Sequence, residues 1–91
     1  MSKDKKSILL IDDHDLILQG IKYIVDQIPE INRFCTASSG EEADKWLSSQ
    51  HFDLYILDLE LPDVSGFDLI DRIREKDANA RIIVNTMHDE I

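Results

Sequence analysis

The chain has 91 residues, with 10 Lys and Arg against 19 Asp and Glu, and its formal net charge is −9. This length fits one domain and excludes a multidomain enzyme, and the negative charge argues against direct binding of these residues to a nucleic-acid backbone. A single cysteine, Cys35, cannot form an internal disulfide, which favours a reducing compartment, so we expect a cytoplasmic location.

The first predicted strand is the apolar run of residues 8–11, which ends at Asp12 and Asp13. A continuous apolar run is typical of a strand buried on both faces of a parallel sheet. This run is too short for a signal segment or a membrane span, so we expect no membrane association. Apolar residues then recur at three-to-four spacing over residues 16–28, which predicts an amphipathic helix ended by Pro29.

A second strand and a second helix are predicted next. Residues 33–37 form a weaker apolar run, and Ser39 with Glu42 three residues later has the spacing of a capping box at the start of a helix. Cys35 and Trp46 fall on apolar positions of these elements, so we assign both to the core.

The third predicted strand, residues 54–57, is another buried apolar run that ends on a carboxylate, Asp58. Pro62 and Gly66 break the chain shortly afterwards. Ser65 is expected to cap a third helix, with Asp68 three residues later, and residues 81–84 predict a fourth strand that runs up to Thr86. Alternating strands and helices of this length predict an α/β fold with a parallel sheet and right-handed crossovers.

Three carboxylates, Asp12, Asp13 and Asp58, follow predicted strands directly. If the first strand lies beside the third, in the flavodoxin-like order 2-1-3-4, these groups converge at the carboxyl edge of the sheet, where open α/β sheets bind ligands. Two unit charges ~5 Å apart repel by about 3 kcal/mol at an effective dielectric constant of ~20. Mg²⁺ fits an all-oxygen site of this kind. Each Asp taken alone is better explained as a helix cap or a loop residue, so the prediction depends on the joint pattern.

The chain resembles a bacterial response-regulator receiver domain of the CheY-like family over its whole length. The resemblance is carried by three segments: ILLIDDH at residues 8–14, LDLELPDVSG at 57–66 and IIVNT at 82–86. Further details resemble the NarL/FixJ branch, whose members usually carry a LuxR-type helix-turn-helix after the receiver: DH at 13–14, Leu16, GI at 20–21 and TMHD at 86–89.

The resemblance implies a role for each matching residue. Asp58 becomes the nucleophile that accepts a phosphoryl group from a phosphohistidine of a sensor histidine kinase. Asp12, Asp13, Asp58 and the backbone carbonyl of Glu60 become the Mg²⁺ ligands. Thr86 becomes the hydroxyl that senses the phosphoryl group. The domain is then a signalling switch and not an enzyme beyond its own phosphorylation and dephosphorylation.

The family pattern normally continues with a helix, a strand bearing a phosphoryl-binding lysine and a last helix, whereas this sequence stops at Ile91. We therefore expect residues 1–91 to be a C-terminally incomplete receiver domain. Its open edge favours self-association, including a homodimer. Contact with DNA is expected only through a C-terminal domain that the sequence lacks.

Two other functions fit part of the pattern. One is a pseudo-receiver that acts as an interaction module without phosphorylation, because the lysine is missing. The other is a haloacid-dehalogenase-like phosphohydrolase, whose second acid stands two residues after the nucleophile, a spacing that Glu60 imitates weakly. His14 and His88 follow the first and fourth strands, and we expect exposed loop positions for both; the alternative is a softer metal bound with Asp13 and Asp15.

Overall fold

Strands and helices alternate along residues 5–85, the part of the chain that the computed structural model describes. The elements are β1 Lys6–Ile11, α1 Asp15–Val25, β2 Ile31–Ala37, α2 Gly40–Ser49, β3 Leu54–Asp58, α3 Gly66–Lys76 and β4 Arg81–Asn85. The four strands form one parallel sheet in the order β2-β1-β3-β4. The predicted α/β fold and its 2-1-3-4 order are therefore confirmed. No helix in this part of the chain is long and apolar enough to cross a membrane.

The register of the sheet brings the ends of the strands to one edge. Ile11 at the end of β1 pairs with Leu57 of β3, so the next residues, Asp12 and Asp58, lie side by side. Asp58 in turn pairs with Asn85 at the end of β4. Because all pairs are parallel, the carboxyl ends of the two central strands meet at this edge, as the sequence predicts.

The main core lies between the sheet and the helices α2 and α3. Tyr55 and Leu57 of β3 are at most 1% exposed, and the ring of Phe52 packs edge-to-face against Tyr55 with centroids 5.8 Å apart. Cys35 and Trp46 pack against this cluster but are only partly buried. The prediction that both residues belong to the core is therefore confirmed only in part, because they lie at its margin. The buried members of the cluster are Leu9, Ile11, Ala37, Ala43, Leu47, Phe52, Tyr55, Leu57, Leu69, Ile73 and Ala80.

Helix α1 ends three residues earlier than its apolar pattern predicts. The N–H groups of Gln27 and Ile28 bond to carbonyls three residues back, at 3.1 and 2.9 Å, so residues 26–28 form a tighter turn outside the helix. The physical reason is Pro29, which disfavours helical backbone at the residue before it. Val25 is the buried residue of this helix, whereas Leu16 is 83% exposed.

Serine side chains cap helices α2 and α3 with small departures from the predicted capping boxes. Ser39 Oγ accepts from the Glu42 N–H at 3.2 Å, but the Glu42 carboxylate accepts from the Ser38 N–H at 2.8 Å and not from that of Ser39. Ser65 Oγ accepts from the Phe67 N–H at 3.1 Å, one residue before Asp68. Helix α1 instead begins after His14, whose side chain makes no cap hydrogen bond, so neither Asp13 nor Asp15 is its N-cap.

Candidate metal centre

Four side chains converge at the carboxyl edge of the sheet. Asp12, Asp13, His14 and Asp58 each place one ligand atom within 4.8 Å of the others. Asp12 and Asp58 are each 1% exposed, while Asp13 and His14 are exposed to solvent. The backbone of both buried residues is held by the sheet: Asp58 ends β3, and the Asp12 N–H donates to the Ala37 carbonyl at 2.9 Å. The strands thus force two carboxylates together in a buried position.

Each buried carboxylate has one oxygen with partners and one without. Asp58 Oδ1 accepts the Glu60 N–H at 3.0 Å, and Asp12 Oδ1 accepts the His14 N–H at 2.8 Å. Among the described residues, Asp12 Oδ2 and Asp58 Oδ2 are buried and have no hydrogen-bond partner. A buried charged oxygen without a partner is destabilising unless a cation or a hydrogen-bond donor satisfies it. This donor set, rich in oxygen and negative charge, suits a hard divalent cation.

Burial raises the pKa of the Asp58 carboxyl, and the negative charge of Asp12 adds to this effect against the opposing hydrogen bond from the Glu60 N–H. The cause is loss of hydration of the ionised form, which an adjacent like charge makes worse. A divalent cation bound at this site would therefore stabilise the ionised form of the Asp58 carboxyl group.

Among the described residues, the His14 imidazole is the basic side chain nearest to the cluster. Its Nδ1 lies 2.6 Å from Asp12 Oδ1, 3.3 Å from Asp13 Oδ1 and 3.5 Å from Asp58 Oδ2. The hydrogen bond to Asp12 raises the pKa of the His14 imidazole, and the negative charges around it act in the same direction. Within residues 5–85, no Lys or Arg nitrogen comes within 4.0 Å of these three carboxylates.

The loop after β3 folds back tightly on itself. Glu60 forms a bridge with Ser65, and the Gly66 N–H donates to the Leu59 carbonyl at 3.0 Å. A Cβ on Gly66 would lie 2.5 Å from Leu59 Cα, which is backbone and cannot give way, so the loop needs a glycine there. The Pro and Gly that break the sequence after Asp58 therefore mark a built turn next to the carboxylates.

Asp63 ties this loop to helix α2. Its carboxylate accepts the Gly40 N–H at 2.7 Å and the Glu41 N–H at 3.1 Å, the free donors at the start of the helix. The Gly40 hydrogen bond lowers the pKa of the Asp63 carboxyl. No sequence pattern pointed to this contact, because the two partners are 23 residues apart and belong to different elements, a loop and a helix.

The structure brings together Asp12, Asp13 and Asp58, as predicted from the sequence. Glu60 lies beside them through its N–H, while the role predicted for its carbonyl stays a prediction. Thr86 and His88 lie outside the described residues. His14 is exposed, as expected, yet its ring joins the cluster. Asp15 does not join it, so the alternative metal site is wrong in including Asp15.

Comparisons with known proteins match the whole described fold. The family profile described as "Response regulator receiver domain" matches residues 8–91. The nitrate/nitrite response regulator protein NarL of Escherichia coli (strain K12) is 35% identical over 91 aligned residues, which cover 98% of this chain but 42% of that protein. The chain therefore spans less than half the length of this relative.

Two solved structures share the fold. The response regulator TrrA of Thermotoga maritima, in complex with Mg²⁺-BeF, is 36% identical with a TM-score of 0.80, over 92% of this chain and 71% of that one. RcsB of Salmonella enterica serovar Typhimurium, bound to promoter rprA in the presence of phosphomimetic BeF₃⁻, is 26% identical with a TM-score of 0.82, over 94% of this chain and 50% of that one.

Proposed function

The chain belongs to the response regulator receiver domains, and we propose that it is a phosphorylation-operated switch whose phosphoryl acceptor is Asp58. The observation that carries this proposal is the buried carboxylate at the end of β3, with one oxygen held by the Glu60 N–H and the other facing Asp12 and His14 without a hydrogen bond. Receiver domains are signalling domains and not classical enzymes.

The free oxygen of Asp58 has the position of a nucleophile. The phosphoryl donor is a phosphohistidine of a sensor histidine kinase: Asp58 Oδ2 attacks phosphorus, an O–P bond forms, the N–P bond breaks, and the leaving imidazole takes up a proton. The hydrogen bond from the Glu60 N–H to Oδ1 keeps the carboxylate turned so that Oδ2 is the oxygen presented. Covalent capture by a carboxylate needs this fixed orientation more than it needs an acid or a base.

The residues fit a bound Mg²⁺. Asp12 Oδ2 and Asp58 Oδ2 are buried acceptors without partners, and the exposed Asp13 carboxylate completes a three-carboxylate face. Together with the backbone carbonyl of Glu60, these carboxylates would hold the ion, which supplies neutralisation of the incoming phosphoryl oxygens. This chain's own contribution is to keep the carboxylates close together before the ion arrives.

Thr86 would sense the phosphoryl group through its hydroxyl. Its chain neighbour Asn85 pairs with Asp58 in the sheet, while the role of Thr86, which lies outside the described residues, is proposed from the family resemblance. A hydroxyl donor that moves toward a new anionic group can pass the change to the surface of the domain.

The longer relatives support a transcriptional output for the whole protein. RcsB binds promoter DNA in its solved structure, and receiver domains are only part of NarL and RcsB. We therefore extend the proposal to a cytoplasmic regulator that receives phosphoryl from a sensor histidine kinase, forms a homodimer and contacts DNA through a separate C-terminal domain. The receiver itself is too acidic, at a net charge of −9, to bind DNA.

Phosphorylation by a small donor tests the proposal. The purified chain is incubated with acetyl phosphate and Mg²⁺, and intact mass is recorded for wild type, Asp58→Asn and a matched control, Asp53→Asn, at the other end of β3. We expect one added phosphoryl group in wild type and in Asp53→Asn and none in Asp58→Asn. No addition in wild type would favour a pseudo-receiver, and steady release of phosphate from a phosphomonoester would favour a phosphohydrolase.

A further inference from the structure

The His14 ring lies at ligand distance from the carboxylates. Two ligands of one ion, each bonded at ~2.1 Å with tetrahedral or cis-octahedral angles, lie roughly 3.0 to 3.4 Å apart. His14 Nδ1 is 3.3 Å from Asp13 Oδ1, within this range, and 3.5 Å from Asp58 Oδ2, just outside it. At 2.6 Å from Asp12 Oδ1 it is closer than that, as expected for a hydrogen bond that an ion would replace.

The backbone of His14 aims the ring at the cluster. His14 is the N-cap of α1, yet its side chain makes no cap hydrogen bond, and its own N–H is held by Asp12 Oδ1 at 2.8 Å. The ring is thus left free of any structural task in the helix. Its side chain is 47% exposed, so an ion from solvent reaches it without disturbing the core.

One imidazole N–H cannot satisfy the buried oxygens. The hydrogen bond at Nδ1 goes to Asp12 Oδ1, which already accepts a backbone N–H, whereas Asp12 Oδ2 and Asp58 Oδ2 have no partner among the described residues. Both residues are 1% exposed. A cation bound between these two oxygens, next to the imidazole nitrogen, would satisfy both of them.

We propose that His14 adds an imidazole ligand to this site, so that Asp12, Asp13, His14 and Asp58 bind divalent first-row transition-metal ions such as Ni²⁺, Co²⁺ or Zn²⁺ in a mode that Mg²⁺ does not use. Imidazole nitrogen suits these ions, whereas Mg²⁺ prefers oxygen and keeps its waters. One site therefore has two modes: three carboxylates for Mg²⁺, and the same carboxylates with His14 for a transition-metal ion.

A regulatory consequence follows, and it rests on the proposed function. An ion bound by His14 would fix the imidazole ring next to Asp58 Oδ2, which lies 3.5 Å from Nδ1, and the fixed ring would obstruct the approach of a phosphoryl donor to that oxygen. Transition-metal ions at low concentration then inhibit phosphoryl acceptance even when Mg²⁺ is in excess. His14→Gln is expected to relieve this inhibition.

Metal binding itself is measured without any phosphoryl donor, so its result does not depend on whether Asp58 is phosphorylated. Tag-free wild type, His14→Gln and the control His51→Gln are titrated with Ni²⁺ and with Mg²⁺ by calorimetry. His51 lies beside Asp77, 3.8 Å away, outside the cluster. We expect His14→Gln to weaken Ni²⁺ binding by at least about tenfold and to change Mg²⁺ binding by less than about threefold, with His51→Gln like wild type.

Loss of Ni²⁺ and Mg²⁺ affinity to the same extent in His14→Gln, or no loss of Ni²⁺ affinity, would overturn the proposal. A second measurement guards against a folding defect in the variant. In wild type, paramagnetic Co²⁺ at substoichiometric amounts should broaden the ring signals of His14 before those of His51. Equal broadening of both rings would also contradict it.

Discussion

The two ends of the β1–β3 pair carry the same residue type in opposite states. At the amino end, Asp53 Oδ2 accepts the Ser7 N–H at 2.8 Å and the Ser7 hydroxyl at 3.1 Å, and these bonds lower the pKa of the Asp53 carboxyl. At the carboxyl end, burial raises the pKa of Asp58 and leaves one oxygen without a partner among the described residues. A satisfied carboxylate fastens two strands, whereas an unsatisfied one is available for chemistry.

The difference teaches how to tell a structural Asp from a functional one. Both residues flank the same short strand, so position on the sheet alone does not separate them. Their surroundings separate them: Asp53 is exposed and hydrogen-bonded, whereas Asp58 is buried beside Asp12 and Asp13. Repulsion within such a cluster lowers the free energy of unfolding. A bound ion or a phosphoryl group restores part of that loss.

The largest expected effect comes from Mg²⁺. An ion at 100 times its dissociation constant adds about 2.7 kcal/mol to the free energy of unfolding if it binds only the folded state. We expect a higher melting temperature with Mg²⁺ in wild type and in Asp53→Asn. Asp13→Ala should melt higher than wild type without metal and lose the Mg²⁺ increment. A full increment in Asp13→Ala would show that Asp13 is not a ligand.

Removing the charge of Asp58 should stabilise the metal-free chain. Relief of repulsion between charges ~5 Å apart stabilises the fold by up to about 3 kcal/mol, and weakening of the hydrogen bond from Glu60 subtracts from this. The free energy of unfolding of Asp58→Asn should therefore rise by roughly 1 to 2 kcal/mol. Urea unfolding at neutral pH measures this gain. A loss of stability would mean that the carboxylate is already satisfied in the folded state.

The pH dependence of that gain has a defined sign. Because the folded-state pKa of Asp58 is raised, its favourable contribution is present below the ordinary Asp pKa of about 3.9 and is lost as pH rises through the raised value. The advantage of Asp58→Asn should therefore grow from acid toward neutral pH and then level off. An advantage that shrinks over this range would contradict the assigned direction.

Asp53 should behave in the opposite way, with a smaller effect. Its pKa is lowered, so its contribution is present above about pH 3.9 and is lost as pH falls through the lowered value. Asp53→Asn is expected to cost about 0.5 to 1 kcal/mol at neutral pH, because solvent screens this exposed contact. Equal urea midpoints for this variant and wild type would remove the structural role given to Asp53.

The smallest expected effect is local. Asp63→Ala removes the two hydrogen bonds that the β3–α3 loop gives to the start of α2 and should lower the stability of the fold only slightly. Hydrogen exchange should quicken first at the Gly40 and Glu41 amides, which donate to Asp63. Glu75→Ala on the exposed face of α3 is the matched control and should leave those amides unchanged.

Much of the contrast between Asp53 and Asp58 could be predicted from the sequence, because it depends on the order of residues along the strands. The apolar runs that end at Asp12 and Asp58 predict buried neighbouring strands, and parallel pairing then forces the two carboxylates to one edge. The family resemblance supplied the roles. The pairing of Asp53 with Ser7 needs the register of the sheet, which the runs alone do not give.

Other features depend on contacts that a one-dimensional pattern does not contain. Leu16 and Phe67 fit the apolar spacing of their helices but are 83% and 66% exposed, because periodicity does not say whether anything covers a face. The His14 ring turns inward because the backbone N–H and the ring Nδ1 of His14 both bond to Asp12 Oδ1. This contact is set by side-chain conformation. The hydrogen bonds of Asp63 join a loop to the start of a helix that is distant in sequence.

The most direct test of the central claim is to locate the phosphoryl group. After treatment with acetyl phosphate and Mg²⁺, borohydride reduces an aspartyl phosphate to homoserine, and peptide mass spectrometry identifies the residue that has changed. The account predicts homoserine at position 58 and none at positions 12, 13 or 53. Homoserine at any of those positions with Asp58 intact would contradict it.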